Sequence, residues 1–222
     1  FQAFFQAVQQ AGFELTNDVN GFRQEGFAAF DKNVFRGRRL SSARAYLHPV
    51  MNRPNLKVIC RAHALCIRFD GKRAVGVDFS HKGQTVSVQG GEIISCGGAF
   101  NSPQLLQLSG IGNANDLKPL GIEMVHELPG VGENLQDHLE VYVQHACTQP
   151  VSMQPALRWW NKPWIGLQWL FFREGPAATN HFEAGGFARS NDEESYPNLM
   201  FHFLPLAIRY DGTSPTGGHG YQ

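Results

Sequence analysis

Gly97-Gly98-Ala99-Phe100-Asn101-Ser102-Pro103-Gln104-Leu105-Leu106-Gln107-Leu108-Ser109-Gly110-Ile111-Gly112 is the stretch on which the reading of the chain turns. An apolar run at residues 92–95 precedes it and reads as a strand. A Gly-rich loop follows, then a short helix with signals at both ends. Ser102 is placed as an N-cap, and Pro103 stands at the first helical position, where a missing N–H leaves no bond unmade. Gly110 is placed to end the helix in a left-handed conformation. Strand, Gly-rich loop and helix N-terminus together form the arrangement that binds phosphate-bearing ligands in α/β proteins, because free N–H groups and the helix dipole favour anions. The same arrangement also serves as a plain connection between two elements of a sheet protein, and both readings stand at this point.

The residues upstream say where in a fold this stretch belongs. Pro54-Asn55 turns into a strand at residues 56–60. Residues 64–69 are joined through Asp70-Gly71 to residues 74–79, a hairpin signal. Ser80-His81-Lys82-Gly83 then leads to residues 85–89, and Gly90-Gly91 breaks the run. The pattern is an antiparallel meander of three strands set between two buried-type strands. A sheet connection made of a meander is how one branch of FAD-binding Rossmann-like domains joins its strands. It weighs against a simple nicotinamide domain, whose crossovers are helical.

Further out, Phe1, Phe4, Phe5, Val8 and Ala11 fall at helical spacing, with Gly12 as the stop. Residues 16–37, rich in Asn, Gly, Gln and Phe, read as an irregular segment of the kind that covers a site or an interface. Arg36, Arg38 and Arg39 read as a solvated face, with a phosphate clamp as the alternative. Ser41 or Ser42 caps a short helix through Leu47, stopped by His48-Pro49. Downstream, residues 115–120 read as a helix and 121–125 as a strand. A domain boundary falls near Leu139. Residues 141–145, 181–188 and 198–204 read as strands of a second sheet. Between them Trp159, Trp160, Trp164, Trp169, Phe171 and Phe172 crowd a helical segment. It reads as a helix packed on a sheet, since it lacks the basic face of a membrane-surface helix.

Composition bounds the function. The chain has 222 residues, enough for one large domain or two small ones. With 19 basic and 19 acidic residues the formal net charge is zero, which leaves no basic excess for nucleic acid. Cys60, Cys66, Cys96 and Cys147 show no metal-type spacing and read as reduced, mostly buried thiols of a cytosolic-type protein. The longest apolar run, residues 165–172, is too short to span a bilayer, and no signal peptide is expected. Both ends look cut, so the chain is expected to be part of a longer protein.

Several chemistries find no motif. Gly110-Ile111-Gly112 and Gly130-Val131-Gly132 lack the third glycine of GxGxxG, and neither follows a strand directly. No GxSxG is present. The nine His are scattered with no metal-ligand pairing, so no metal site is expected. Asp137-His138 at the domain junction reads as a buried structural hydrogen-bond pair.

At this point a family resemblance enters. The stretch from Gly98 to Gly112, with its Gly98-Ala99, Ser102-Pro103, Leu105-Leu106 and Ser109-Gly110-Ile111-Gly112, resembles the second signature of the glucose-methanol-choline (GMC) oxidoreductases. Pro129-Gly130-Val131-Gly132-Glu133-Asn134-Leu135-Gln136-Asp137-His138 resembles the segment that follows it. Gly37-Arg38-Arg39-Leu40-Ser41-Ser42-Ala43-Arg44-Ala45-Tyr46-Leu47-His48-Pro49, Gly71-Lys72-Arg73-Ala74-Val75-Gly76-Val77 and His181-Phe182-Glu183-Ala184-Gly185-Gly186-Phe187 are similar to the bacterial, choline-oxidising branch of that family.

The resemblance implies an α/β (α+β overall) fold. Residues 1–138 would be the central part of an FAD-binding Rossmann-like domain, with a covering segment at 12–48. Residues 139–222 would begin a sheet-based substrate domain. It implies FAD as cofactor, an alcohol (choline) as substrate, and hydride transfer from the carbinol carbon to flavin N5. At the cofactor it implies Ala64, through its backbone, and the turn Cys96-Gly97-Gly98 with Asn101. The family's catalytic His lies toward the C-terminus, so no base is assigned within residues 1–222. Glu183, among Phe182, Phe187, Phe201 and Phe203, is the candidate for the substrate's trimethylammonium head, which aromatic faces and a carboxylate can hold. The alternative for Glu183 is a surface salt bridge on an edge strand. A GMC enzyme for another primary alcohol, and a non-catalytic α/β module, are the alternatives for the whole. The protein is expected in the cytoplasm, soluble or peripheral on the inner membrane, with its electron acceptor undetermined.

Overall fold

The structure, a computed structural model, describes residues 1–209 and 218–222. In chain order the elements begin with helix α1 (Gln2–Gln10) and strands β1 (Gly26–Ala29), β2 (Val34–Phe35) and β3 (Arg38–Arg39). Then come β4 (His63–Asp70), β5 (Arg73–His81), β6 (Gln84–Gln89), α2 (Gly98–Leu108), β7 (Ile111–Gly112), α3 (Ala114–Leu117) and β8 (His126–Glu127). The last are β9 (His145–Ala146), α4 (Gln154–Leu157), α5 (Lys162–Phe172), β10 (Ala184–Ala188), β11 (Leu199–Phe203) and β12 (Gly220–Tyr221). The fold is mixed, with open sheets among the described residues. It splits into two compact units, Met51–Leu139 and Phe1–Val50 together with Glu140–Gln222.

In the unit Met51–Leu139 the three-stranded meander forms as the turn chemistry dictates, in the order β4-β5-β6. Ile67 pairs with Val77, and Val77 with Val88. Alternation along β4 and β5 turns Ile67 and Phe79 inward, and both are buried. The strands expected at 56–60 and 92–95 do not form. An apolar strand of the parallel, two-face-buried kind needs a neighbouring strand, and neither run joins a sheet among the described residues; Ile94 is 75% exposed.

Helix α2 also differs from expectation. It starts at Gly98 with Gly97 as N-cap, and Pro103 lies inside it. Ser102 is therefore a helical residue rather than a cap, although its Oγ reaches back to accept the Gly97 N–H at 2.9 Å. The expected stop holds. Gly110 has φ 84°, and a Cβ there would lie 2.2 Å from the Glu123 carbonyl oxygen, so left-handed backbone and close approach both demand glycine. Past it, β7 pairs with β8 in parallel, Ile111 against His126. The strand thus falls just after the expected 121–125.

The other unit is built on the antiparallel sheet β1-β10-β11. Phe27 pairs with Gly186, and Gly186 with Phe201. The apolar stripe of α1 lies on one face of this sheet: the Phe4 ring stacks on Phe203 at 4.5 Å and meets Phe27 at 6.0 Å. Residues 1–50, grouped by the sequence with 51–138, therefore pack with 140–222 in this structure. The cause is a strand pairing between residues far apart in sequence, which local pattern does not reveal. The strand expected from residue 181 begins only at Ala184, because His181 has φ 68°, outside extended backbone. The strand expected at 141–145 is reduced to β9, which pairs with β12.

The Trp-rich segment is helical, as α4 and α5. It is held less by a sheet than by Trp169, whose Nε1 donates to the Gly37 carbonyl at 2.6 Å while Arg173 sits over its ring. Trp164, Phe171 and Phe172 are exposed. No described helix is long and apolar enough to cross a membrane. The thiols are free, but Cys60 and Cys96 are exposed and Cys66 and Cys147 only partly covered, contrary to the expected burial.

Candidate functional site

Two clusters hold the residues singled out by sequence, one in each unit. The first is the open N-terminus of α2. An α-helix leaves its first N–H groups without intrahelical partners, and α2 has eleven residues with no acidic side chain in its first turn. Cys96, Gly97, Gly98 and Asn101 are all exposed there, and nothing lies within 4 Å of where a Gly98 Cβ would stand. This is a cradle an anionic group can approach, and the donor chemistry fits a diphosphate such as that of FAD. The Gly97 N–H is already taken by Ser102, so the open donors belong to the residues after it. Ala64 lies on β4, exposed and paired with Phe79. Asp137 and His138 are exposed; the Asp137 carboxylate accepts the His138 backbone N–H at 2.8 Å, so the pair makes an exposed local contact rather than a buried one.

The second cluster surrounds Glu183. This residue immediately precedes β10, the central strand of its sheet, and its carbonyl accepts the Phe30 N–H at 3.0 Å. Its carboxylate accepts from Lys32 Nζ and from Thr179 Oγ1, the latter at 2.5 Å. Lys32 Nζ also lies 3.4 Å from Thr179 Oγ1. The Lys32 and Glu183 side chains are 28% and 27% exposed, so the pair is largely withdrawn from water. Burial pushes the Glu183 carboxyl up, but the Lys32 ammonium and the Thr179 hydroxyl outweigh it and hold the group below the usual glutamate value. Burial also lowers the neighbouring His181, an effect the Glu183 charge partly opposes.

The aromatic residues expected around Glu183 divide between the two faces of the sheet. Phe201 pairs with Gly186 and Phe203 with Ala184, so both lie on the face covered by α1. The alternating register puts Phe187 with Met200 and His202 on the opposite face, where Glu183 also belongs. There Phe30, Phe182, Phe187, Met200 and His202 line a cleft of about 270 Å³, with Asn20, Asp31 and Asn180 at its polar parts. The His202 ring meets Phe30 and Phe182 edge-on at 5.6 and 5.8 Å. Sequence reading missed Lys32, Thr179, Phe30 and His202. Phe30 comes opposite Glu183 where the β1–β10 pairing runs out, with Lys32 two residues on, and His202 is placed by the β10–β11 pairing.

Comparison with known proteins bears on the fold and the family. A formate oxidase of Aspergillus oryzae superposes with a TM-score of 0.84 at 22% identity, covering 98% of this chain and 42% of that one. Pyridoxine 4-oxidase from Mesorbium loti does so with a TM-score of 0.78 at 23% identity, over 100% and 40%. At such identity these likenesses show the fold alone. In sequence, the oxygen-dependent choline dehydrogenases of Staphylococcus saprophyticus and Staphylococcus xylosus are each 60% identical over 222 residues, which is all of this chain and 40% of either relative. The chain thus spans about 40% of the length of the curated relatives it matches. The family model of the GMC oxidoreductases matches residues 1–140, well over half of the chain, and with the Gly98–Gly112 signature, the meander before it and the shared fold, the chain belongs to the GMC oxidoreductase family.

Proposed function

We propose that this chain is the central part of an FAD-dependent choline dehydrogenase, which oxidises choline to betaine aldehyde. The observation that carries the reading is Glu183, a half-buried carboxylate whose pKa is held below the usual glutamate value and which follows Phe182, a wall of the aromatic cleft. A trimethylammonium head offers no hydrogen bond, so its recognition rests on aromatic faces and a nearby negative charge. Glu183 supplies the charge, and Phe30, Phe182, Phe187 and His202 supply the faces. The identity with oxygen-dependent choline dehydrogenases over the whole chain supports the same reading.

When bound, FAD supplies the hydride acceptor at its N5. The N-terminus of α2, with Gly98 and Asn101, would hold the anionic part of the cofactor, and exposed backbone at Ala64 would face its base. Glu183 and the cleft would hold the alcohol by its distal cation and leave its carbinol end unbound there. The base that takes the hydroxyl proton is assigned to no residue of 1–222.

Steady-state oxidation by the full-length protein tests the reading, with choline and its neutral isostere 3,3-dimethyl-1-butanol compared under an artificial electron acceptor. Choline is expected to bleach the flavin and turn over. Glu183→Gln is expected to raise KM for choline by roughly thirtyfold, as loss of a part-buried charge contact of about 2 kcal/mol implies. Good turnover of the neutral alcohol with no choline-dependent flavin reduction would point to a GMC enzyme for another primary alcohol.

A further inference from the structure

We infer that Lys32 is a specificity-determining residue that occupies Glu183 in the absence of ligand and competes with a cationic alcohol for it. The inference rests on the reading of Glu183 as the site of the substrate cation. Lys32 Nζ donates to Glu183 Oε1, and both side chains are mostly withdrawn from solvent. The position is built by the backbone. The Phe30 N–H is fixed on the Glu183 carbonyl at 3.0 Å, and Lys32, two residues on, reaches the Glu183 carboxylate. Phe30 and Asp31, the two residues before Lys32, line the cleft.

The chemistry of the two cations makes this a competition. Lys32 carries a compact ammonium on a flexible four-carbon stem, able to swing out into water. A trimethylammonium head meets the carboxylate by charge alone and cannot replace the Lys32 hydrogen bond. Thr179 Oγ1, which donates to the same carboxylate oxygen, can stay in place when Lys32 leaves. Glu183 therefore remains satisfied by one neutral donor and presents an uncompensated charge to the incoming cation. Choline affinity then reports the difference between two ion pairs rather than the strength of one.

Lys32→Met in the full-length enzyme is the test, because methionine keeps the stem and removes the charge. The ratio of KM for choline to KM for 3,3-dimethyl-1-butanol is expected to fall about fivefold, as release of a partly exposed ion pair implies. Lys32→Arg, which keeps the competing charge, should hold the wild-type ratio. The inhibition constant of tetramethylammonium against choline oxidation should tighten in Lys32→Met by a similar factor, and Lys32→Gln repeats the measurement if the Met variant folds poorly. An unchanged or raised ratio in Lys32→Met and Lys32→Gln overturns the inference. Glu183→Gln, assayed in parallel, separates the two failures. If it collapses the choline preference while the Lys32 variants change nothing, the Glu183 reading stands and the role of Lys32 falls. If it leaves the preference intact, the reading of Glu183 falls and the inference with it.

Discussion

Ser109, at the C-terminal cap of α2, joins that helix to the backbone of Ile67 in the meander: its Oγ accepts the Ile67 N–H at 2.8 Å and donates to the Leu105 carbonyl at 2.5 Å. Ser109 is the buried polar residue of its unit among the described residues, 8% exposed, and Ile67 is 7% exposed. A buried N–H that loses its acceptor costs about 1–3 kcal/mol. Ser109→Ala should therefore destabilise the protein by about 2 kcal/mol in urea denaturation, with the m-value unchanged. A loss below the error of the measurement would mean that water reaches the Ile67 N–H.

Gly110 follows directly and tolerates no side chain. It combines φ 84° with a Glu123 carbonyl oxygen 2.2 Å from a built Cβ and a Val125 nitrogen 3.0 Å away. Its own carbonyl accepts the Val125 and His126 N–H groups. Gly110→Ala is expected to cost about 3 kcal/mol or more, from backbone strain and the displaced bridge together. Hydrogen exchange would locate the damage, with faster exchange at Val125 and His126 and little change at β5.

Phe27 is the centre of the aromatic cluster under α1. It is 4% exposed and its ring lies 5.4 to 6.0 Å from those of Phe4, Phe13 and Phe201. Its cross-strand partner is Gly186, where a Cβ would come within 2.5 Å of the ring, so the ring lies flat across the glycine. Phe27→Ala should cost about 3–5 kcal/mol, as other buried Phe truncations do. Gly186→Ala should also destabilise, by pushing against the ring from the other side. Thermal unfolding of the two variants and of the double variant checks this: coupling between them is expected, since the residues touch.

What the sequence makes legible follows from the range of the physics. The hairpin at Asp70-Gly71, the helical spacing of Phe4 and Val8, and the left-handed stop at Gly110 are local, and each stands in the structure as read. The strands expected at 56–60 and 92–95 are apolar enough, but a strand exists only with a partner, and composition carries no information about partners. The same limit explains the Glu183 surroundings. Glu183 is a candidate through the family resemblance and its aromatic neighbours in sequence, whereas Phe30 and Lys32 come near it only where the distant segment 26–32 runs beside β10. Phe201 and Phe203 show the converse: adjacency to Glu183 in the second sheet suggested one aromatic group, yet the two-residue period sends them to the opposite face.

The Glu183 carboxyl ties stability to pH with a definite sign. Burial favours its neutral form, but Lys32 and Thr179 favour the charged form more, so its pKa in the folded protein lies below the unfolded value. A depressed carboxyl contributes stability that is fully present above its unfolded pKa and is lost as pH falls through the folded one. His181, lowered mainly by burial, works in a higher window: its contribution is present above the ordinary histidine pKa of about 6.5 and fades as the pH drops below it. Stability of the wild type should therefore fall in two stages between about pH 7 and about pH 3. In Glu183→Gln the lower stage should flatten, since the amide does not titrate, while the upper stage shifts only as far as the lost charge raised His181. Urea denaturation across that range, for wild type and Glu183→Gln, checks the sign. A variant whose deficit grew toward acid pH would show that the carboxyl is raised rather than lowered in the folded state.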